Sequence, residues 1–340
     1  MTEAEAHALF RAILGGSVPT GEIERVLRAI AARGETVDEL VGAARAMRES
    51  VTRVETDPAW AGEVIDTCGT GGAPKTFNVS TAAALVAAGA GRMPGVRVRV
   101  AKHGNRSRTG RGSAEVLEAL GVRVDASPEV QSRCLREAGV CFSFAIHHHP
   151  AMRFAAEARR AIAGPTIFNL LGPLTNPACA TRQVLGVFGA EKVERMAGAL
   201  ARLGCARAMV VHGEDGLDEM TTTAATRVAH VEGGRVRMEV VDAAAFGVRR
   251  ARMEELGATS VEESAAIVRA VVSGEAGPRA DIVAWNAAGA ILVAGAAGDL
   301  GDALEMARES IRAGHAAATL EALVRCSRGQ SSGSDSIDAR

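Results

Sequence analysis

Short apolar runs typical of buried strands alternate with helical patterns after residue 63, and this alternation constrains the fold more than any other feature. The helical stretches repeat apolar residues every three or four positions, whereas the strand-like runs do not. We expect strands at Val64–Asp66, Val96–Val100, Gln183–Phe188, Ala208–His212, Arg227–Val231 and Arg235–Val240. We expect helices at 80–91, 113–120, 128–138, 191–203, 260–273, 278–295 and 301–325. Strands that alternate with helices predict an α/β domain.

The start of the chain has a different pattern, with three helices and no strand-like run before residue 50. Thr2 and Glu5 fit a capping box, and Thr20 is expected to cap a second helix that runs to residue 33. A third helix is expected from about Thr36 to Glu49. These patterns predict a small all-helical unit. The polar tail 327–340 is expected to be disordered.

The composition excludes several classes of partner. The 340 residues include 39 basic and 40 acidic side chains, so the net charge of −1 gives no field that attracts nucleic acid or a membrane. With no Tyr and two Trp, a base-stacking platform is not expected. The apolar stretch 282–298 is shorter than the ~20 residues of a membrane span. Six scattered cysteines without a CxxC pair, and no targeting segment, indicate a cytoplasmic protein with reduced thiols.

A glycine-rich turn follows the first expected strand and precedes an Ala-rich helix. It has the sequence DTCGTGG at 66–72, followed by TFNVST at 76–81. Glycines let a backbone approach an anion, and free amides at a helix start point towards it. Ser80 and Thr81 are expected to cap the helix and to bind phosphate or a hydrated cation. The segment matches neither the P-loop nor the Rossmann pattern, and a plain glycine turn with a Ser/Thr cap would also explain it.

A basic segment, KHGNRSRTGRGS at 102–113, follows the strand expected at Val96–Val100. Its cations, glycines and hydroxyls suit a polyphosphate, although a solvated basic loop is the alternative. Only three of the 39 basic residues are lysines, and two of them, Lys75 and Lys102, lie in or beside the two glycine-rich segments. A compact ammonium and a forked guanidinium do different work, so the choice of Lys here favours a function.

An acidic segment and a histidine-containing segment complete the candidates. In VVHGEDGLDE at 210–219, Asp218 and Glu219 follow an expected strand, where open α/β sheets bind ligands and where two carboxylates could hold Mg²⁺. An acidic turn is the alternative. The sequence HHHPAMR at 147–153 precedes Arg159, Arg160 and GPTIFNLLGPLTNP at 164–177. We do not expect zinc here, because adjacent histidines rarely converge on one metal.

Together and in this order, the four segments resemble the anthranilate phosphoribosyltransferase family, of the nucleoside-phosphorylase-like transferase class. The resembling motifs are GTGG…TFNVSTAAA, VAKHGNRS…GSAEVLEALGV, HPAMR…R…TIFNLLGPLTNPA and VVHGEDGLDE, which span roughly residues 60–220. The resemblance implies a small helical domain at 1–62, joined by part of 145–180, and an α/β catalytic domain at 63–326 with a central, mostly parallel sheet. It also implies a homodimer through the helical domain.

The reaction implied by the resemblance is transfer of phosphoribose from phosphoribosyl pyrophosphate (PRPP) to the amine of anthranilate, with Mg²⁺ as cofactor. The implied PRPP-binding residues are Gly69, Thr70, Gly71, Gly72, Lys75, Thr76, Asn78, Val79, Ser80, Thr81, Lys102, His103, Gly104, Asn105, Arg106, Ser107 and Ser113. Those implied for anthranilate are Gly69, His103, Asn105 and Arg159, and those for Mg²⁺ are Ser80, Asp218 and Glu219. The chain departs from the family pattern at Ala73, where the family usually has Asp.

Two alternatives remain open on the sequence. A nucleoside phosphorylase would share the fold class, although the KHGNR segment differs from the lysine loop of those enzymes. A catalytically silent relative could bind nucleic acid, although the neutral charge and the scarce aromatic residues disfavour it.

Overall fold

Three amphipathic helices begin the chain in the computed structural model, which describes residues 1–60, 62–72, 76–107 and 110–330. They are α1 (Glu3–Leu14), α2 (Thr20–Arg33) and α3 (Val37–Glu49). The predicted capping box of Thr2 and Glu5 is confirmed, and Thr36 forms a second one with Glu39. The predicted cap by Thr20 is wrong, because Pro19 is the N-cap and Thr20 is the first helical residue. Its hydroxyl instead donates to Glu157 at 3.3 Å.

A seven-stranded sheet forms the centre of the rest of the chain, in the order β3-β2-β1-β4-β5-β6-β7. The first five strands in this order are parallel, and the last two are antiparallel. The strands are β1 (Val64–Gly69), β2 (Arg99–Gly104), β3 (Val140–Phe144), β4 (Arg182–Gly186), β5 (Arg207–Gly213), β6 (Thr226–Glu232) and β7 (Arg235–Val241). The expectation of an α/β domain with a mostly parallel sheet is therefore confirmed.

Helices cover both faces of this sheet. They are α4 (Val79–Ala90), α5 (Ser113–Ala119), α6 (Pro128–Glu137), α7 (Ala145–His148), α8 (Ala156–Arg160), α9 (Ile167–Leu171), α10 (Ala190–Arg202), α11 (Val261–Val272), α12 (Pro278–Ala294), α13 (Leu300–Arg312) and α14 (His315–Ser327). Short 3-10 helices lie at Pro58–Trp60, Pro150–Ala155, Gly172–Leu174, Ala243–Phe246 and Met253–Leu256. Within the described ranges, no helix is both long and apolar enough to cross a bilayer.

The structure corrects three sequence expectations. The strand expected at Val96–Val100 lies at Arg99–Gly104, because its buried residues include Lys102 and His103, which hydropathy does not assign to a strand. Strand β3, a fully buried VCFSF run, was not predicted. The single helix expected at 301–325 is two helices, separated at Gly314, whose φ of +75° is left-handed and ends α13.

Two hydrophobic clusters lie on opposite faces of the sheet. One packs α4, α12, α13 and α14 against one face. The other joins the three N-terminal helices, α8, α9 and α10 to the opposite face, where it includes Leu185 and Val210. Helices α8 and α9 pack against α2 and α3, which accords with a helical unit that includes part of 145–180. The domain limits at 62/63 and 326/327 remain predictions, and 331–340 of the expected tail lie outside the described residues.

A buried carboxylate stabilises the N-terminal unit. Glu39 is fully buried and forms ion pairs with Arg33 and, at 3.3 Å, with the ammonium of Met1. It also accepts the backbone N–H of Thr36 at 3.0 Å. Burial by itself would raise the pKa of Glu39, but these hydrogen bonds and charges outweigh it and lower the pKa to about 2.

We expect this carboxylate to make stability depend on pH. A lowered pKa means that the stabilisation is present above the unfolded value near 4.5 and is lost as the pH falls towards 2. Because Arg33 is half-exposed and screened, we expect Glu39→Gln to cost on the order of 1–2 kcal/mol at pH 7. Urea unfolding at pH 7, 4.5 and 3 should show this difference shrinking with acid. Glu24→Gln, which breaks a surface pair with Arg28, is the control and should change little. A difference independent of pH would contradict the assignment.

Candidate active site

The carboxyl ends of four parallel strands bring the predicted segments together at one edge of the sheet. Strand β1 ends at Gly69, β2 at Gly104, β4 at Gly186 and β5 at Gly213. From β1 the chain runs to β2 on one side and only later reaches β4 on the other. This is a topological switch point, where open α/β sheets form a ligand-binding crevice.

The acidic segment lies directly on the ends of β1 and β4, which is possible only because both strands end in glycine. Gly69 and Gly186 are paired neighbours. A Cβ at Gly69 would lie 2.7 Å from Oδ2 of Asp218, and one at Gly186 would lie 1.7 Å from the carbonyl oxygen of Asp218. Gly71 and Gly72 follow with left-handed φ values of +66° and +99°. The N–H of Gly71 lowers the pKa of the Asp218 carboxyl and so opposes the effect of its burial.

Lys102 connects three elements beneath this segment. Its side chain is 4% exposed, and its ammonium donates to the carbonyl of Thr67 at 2.7 Å and to the hydroxyl of Ser80 at 3.1 Å. Burial lowers the pKa of Lys102, while the charges of Asp66, Glu219 and Asp218 oppose that effect. The predicted lysine therefore joins β1, β2 and the start of α4 in front of the acidic pair.

The first turn of α4 contains several predicted site residues, but its cap differs from the expectation. Asn78 is the N-cap residue, so the prediction that Ser80 and Thr81 cap the helix is wrong. The Asn78 side chain is held by Ser264, whose hydroxyl donates to Oδ1 at 2.9 Å. The backbone N–H of Ser80, in the first turn of α4, favours the ionised form of the Glu219 carboxyl and lowers its pKa. The start of α4 therefore favours an anionic group.

The acidic pair fits a divalent cation. Burial and then the charge of the neighbouring Asp218 raise the pKa of Glu219, Lys102 and the Ser80 N–H lower it, and the result is a pKa of about 8. Burial likewise raises the pKa of Asp218. Two adjacent carboxylates and a hydroxyl are hard oxygen donors of the kind that Mg²⁺ prefers with water and phosphate oxygens. In the part of the chain that the structure describes, no group of three or more His, Cys, Asp or Glu could hold a metal.

Two neutral histidines lie on the other side of β2. The backbone N–H of His103 donates to Asp66 at 3.1 Å, and its ring Nδ1 lies 3.1 Å from the carbonyl of Gly172. A carbonyl only accepts, so Nδ1 carries the proton and Nε2 is a free acceptor with no partner among residues the structure describes. The ring of His149 lies 5.1 Å away, centre to centre. Burial lowers the pKa of His103 to about 3 and that of His149 to about 4.

His149 is a candidate that the sequence reasoning missed. The three adjacent histidines are not expected to bind zinc, and in the structure they face different partners. His148 bridges Thr52 and Gln131, at 2.6 and 2.9 Å, and His147 is exposed. Neither ring nitrogen of His149 has a partner within the described ranges. The sequence offers one signal for His149, which is its position directly before PAMR in the histidine-containing candidate segment.

The other predicted site residues have various partners in the structure. Thr70 donates its N–H to Gly186 at 2.9 Å, whereas the hydroxyl of Thr76 turns to the carbonyl of Phe77. Val79 is buried in the core. Arg106 pairs with Glu118 at 2.6 Å, so the structure does not bring its guanidinium to Lys102. Gly104, Asn105, Ser107 and Ser113 lie in or beside the basic segment that follows β2, and Lys75 lies outside the described residues.

Arg159 lies on α8, ten residues after His149. Its guanidinium is 5.4 Å from the centre of the Phe168 ring, and that ring packs edge-on against Phe10 of α1 at 5.5 Å. The aromatic pair orients a partly exposed cation on the helical side of the site.

Comparisons with known proteins agree with this geometry. The family model described as "Glycosyl transferase family, a/b domain" matches residues 61–317, and the corresponding helical bundle domain matches 1–51. Anthranilate phosphoribosyltransferases from Thioalkalivibrio sulfidiphilus and Rubrobacter xylanophilus are 47% and 48% identical to this chain. These alignments cover 95% and 96% of this chain and 94% of each relative. The chain belongs to the anthranilate phosphoribosyltransferase family.

Solved structures of this family have the same fold. The crystal structure of the Thermus thermophilus enzyme is 42% identical, with a TM-score of 0.88 over 96% of both chains. The Saccharomyces cerevisiae enzyme in complex with PRPP and Mg is 23% identical, with a TM-score of 0.85 over 96% of this chain and 94% of that one, and supports the fold alone. Family membership disfavours the nucleoside phosphorylase and nucleic-acid-binding alternatives.

We expect Gly186→Ala to be strongly destabilising. The new Cβ would meet the backbone of Asp218, which cannot rotate away as a side chain would, so the acidic segment must move. Overpacking of this kind costs about 2 kcal/mol or more in free energy of unfolding. Gly298→Ala is the matched control, because nothing lies within 4 Å of its Cβ position, and it should change stability by less than about 0.5 kcal/mol. Equal effects in urea unfolding would show that Asp218 does not lie on β4.

Proposed function

We propose that this chain transfers the phosphoribosyl group of PRPP to the amine of anthranilate and releases pyrophosphate, in tryptophan biosynthesis. The observation that carries the proposal is the meeting of a buried Lys102, a glycine-rich turn and the Asp218–Glu219 pair at the switch point of the sheet. The names of relatives at 47% and 48% identity support it.

In this proposal the phosphates of PRPP bind on the sheet side of the crevice. The glycine-rich turn Gly69, Thr70, Gly71 and Gly72 and the first turn of α4 would line the phosphate-binding part of the crevice. Lys102 would supply a compact positive charge that is already fixed by Thr67 and Ser80. The remaining contacts would come from Lys75, Thr76, Asn78, Val79, Thr81, His103, Gly104, Asn105, Arg106, Ser107 and Ser113.

Ser80, Asp218 and Glu219 would hold Mg²⁺, which when bound neutralises charge on the leaving pyrophosphate. The chain's own share of this task is to keep the two carboxylates together. Glycines at 69 and 186 let the acidic segment lie against the strand ends, and the N–H groups of Gly71 and Ser80 favour the ionised forms of Asp218 and Glu219, respectively. Lys102 limits the repulsion between them.

Anthranilate would bind on the helical side, with its carboxylate on Arg159 and its amine at His103, near Gly69 and Asn105. In the transfer, the bond from ribose C1 to the pyrophosphate oxygen breaks with its electron pair, a bond forms from C1 to the amine nitrogen, and the nitrogen loses a proton to the departing pyrophosphate. An aromatic amine is neutral at pH 7, so no strong base is required. With a pKa of about 3, His103 suits a hydrogen-bond acceptor that orients the amine, and His149 packs behind it.

We expect Arg159→Ala to raise the KM for anthranilate roughly ten- to a hundredfold, because a charge-assisted hydrogen bond contributes ~1.5–3 kcal/mol. The KM for PRPP should change little. Arg160→Ala removes an exposed neighbour on the same helix and is the control. Steady-state kinetics with each substrate varied would check this, and an unchanged KM for anthranilate would remove Arg159 from the site.

The activity itself is tested by anthranilate fluorescence over time with purified protein, PRPP and Mg²⁺. We expect the signal to fall only when all three are present. A folded protein that leaves the signal constant would overturn the proposed reaction, and phosphate-dependent cleavage of a nucleoside would then be measured.

We also propose a homodimer formed through the helical unit and a cytoplasmic location. The exposed apolar side chains of Ile146 and Phe154, at 60% and 37%, lie beside that unit and support an interface there. The six cysteines are all free thiols, which supports a reducing compartment. Light scattering after gel filtration would give twice the chain mass for the dimer, and a monomer mass at micromolar concentration would exclude it.

A further inference from the structure

A buried amide lies behind the acidic pair, on a helix that otherwise presents mainly apolar side chains to the core. Asn286 is 4% exposed and belongs to α12, where its neighbours Trp285 and Ala287 are fully buried. Asparagine is a weaker helix former than alanine, and burying an amide is costly unless every polar atom is bonded. An asparagine in the middle of a core helix is therefore expected to bind a group outside that helix.

The group that Asn286 binds is the backbone of Met220, in the acidic segment. Oδ1 of Asn286 accepts the N–H of Met220 at 2.9 Å, and Nδ2 donates to the carbonyl of the same residue at 2.8 Å. The second hydrogen of Nδ2 donates to the carbonyl of Ile282, one turn earlier, at 2.8 Å. Both the oxygen and the nitrogen of the Asn286 side chain are therefore hydrogen-bonded, and the bond to Ile282 in the same helix fixes the orientation of the amide.

Met220 directly follows Glu219, so this contact fixes the segment from the side opposite the strands. On the strand side, Asp218 lies against Gly69 and Gly186. The Met220 side chain is fully buried, and its sulfur lies 2.6 Å from where Gly289 would carry a Cβ, so α12 leaves room for it. Asn286 also lines the same cavity as Ser80 and Glu219.

We propose that Asn286 is a positioning residue for metal binding: its side-chain amide holds the backbone of Met220 so that Asp218 and Glu219 face the Mg²⁺–PRPP site. The inference rests on the proposed role of the two carboxylates. Asn286 does not touch the metal or the substrate itself. A neutral amide suits this position, because a carboxylate would face the Met220 carbonyl and add a third negative charge beside the pair.

The test compares Asn286→Ala and Asn286→Asp with Ser310→Ala. Ser310 is also fully buried in a helix and donates to a backbone carbonyl, that of Val86 at 2.7 Å, so Ser310→Ala removes a buried side-chain hydrogen bond away from the acidic segment. Calorimetric titration of PRPP at a series of Mg²⁺ concentrations gives the metal dependence of binding without turnover. Thermal unfolding gives the structural cost of each variant.

We expect both Asn286 variants to need a Mg²⁺ concentration about tenfold or more above that of the unchanged protein for half-maximal PRPP binding. Asn286→Asp should be no better than Asn286→Ala. The KM for anthranilate at saturating Mg²⁺ should stay within about twofold. Ser310→Ala should lose thermal stability without a change in Mg²⁺ dependence. If the Asn286 variants only lose stability as Ser310→Ala does, Asn286 is structural and the inference fails.

Asp218→Ala separates this failure from that of the proposed function. A shifted Mg²⁺ dependence in Asp218→Ala with none in Asn286→Ala overturns only the positioning role. An unchanged Mg²⁺ dependence in Asp218→Ala removes the carboxylates from the metal site and the inference with them.

Discussion

The candidate site depends on the buried ammonium of Lys102. A desolvated cation is costly unless its protons are bonded and opposite charges lie near it. Lys102 has both, with Thr67 and Ser80 as acceptors and with Glu219 and Asp218 facing it. The same ammonium makes a pair of half-buried carboxylates tolerable in front of it. Lys102 and the acidic pair therefore stabilise each other, with the buried Asp66 as a further negative charge near the ammonium.

Close approach of the backbone is the second requirement. The acidic segment must lie against two strand ends, so Gly69 and Gly186 carry no side chain where they meet Asp218. Asn286 holds the segment from the other side through Met220. The carboxylates are thus positioned by contacts to backbone atoms, which move less than side chains do.

Much of this arrangement could be predicted from local sequence, and the parts that could not have physical reasons. The capping box at Thr2 and the order of glycine-rich, basic and acidic segments are local signals. The expected position of β2 is wrong because the strand contains Lys102 and His103, two buried polar residues that hydropathy does not assign to a strand. Asn286 carries no local signal, because its hydrogen-bond partner, Met220, is 66 residues away in the chain.

The end of β2 also explains how one strand can contribute to both sides of the crevice. Consecutive strand residues point to opposite faces. Lys102 accordingly reaches the start of α4, whereas the ring of His103 reaches Gly172 and His149. A register slip of one residue would exchange a cation and a neutral acceptor between the two faces. The Asp66 carboxylate, which accepts the N–H of His103, and the Asn176 amide, which donates to the carbonyl of Ala101 at 2.8 Å, fix that register from neighbouring elements. The fully buried Asp66 therefore supports both sides of the crevice through its hydrogen bond to the backbone of β2.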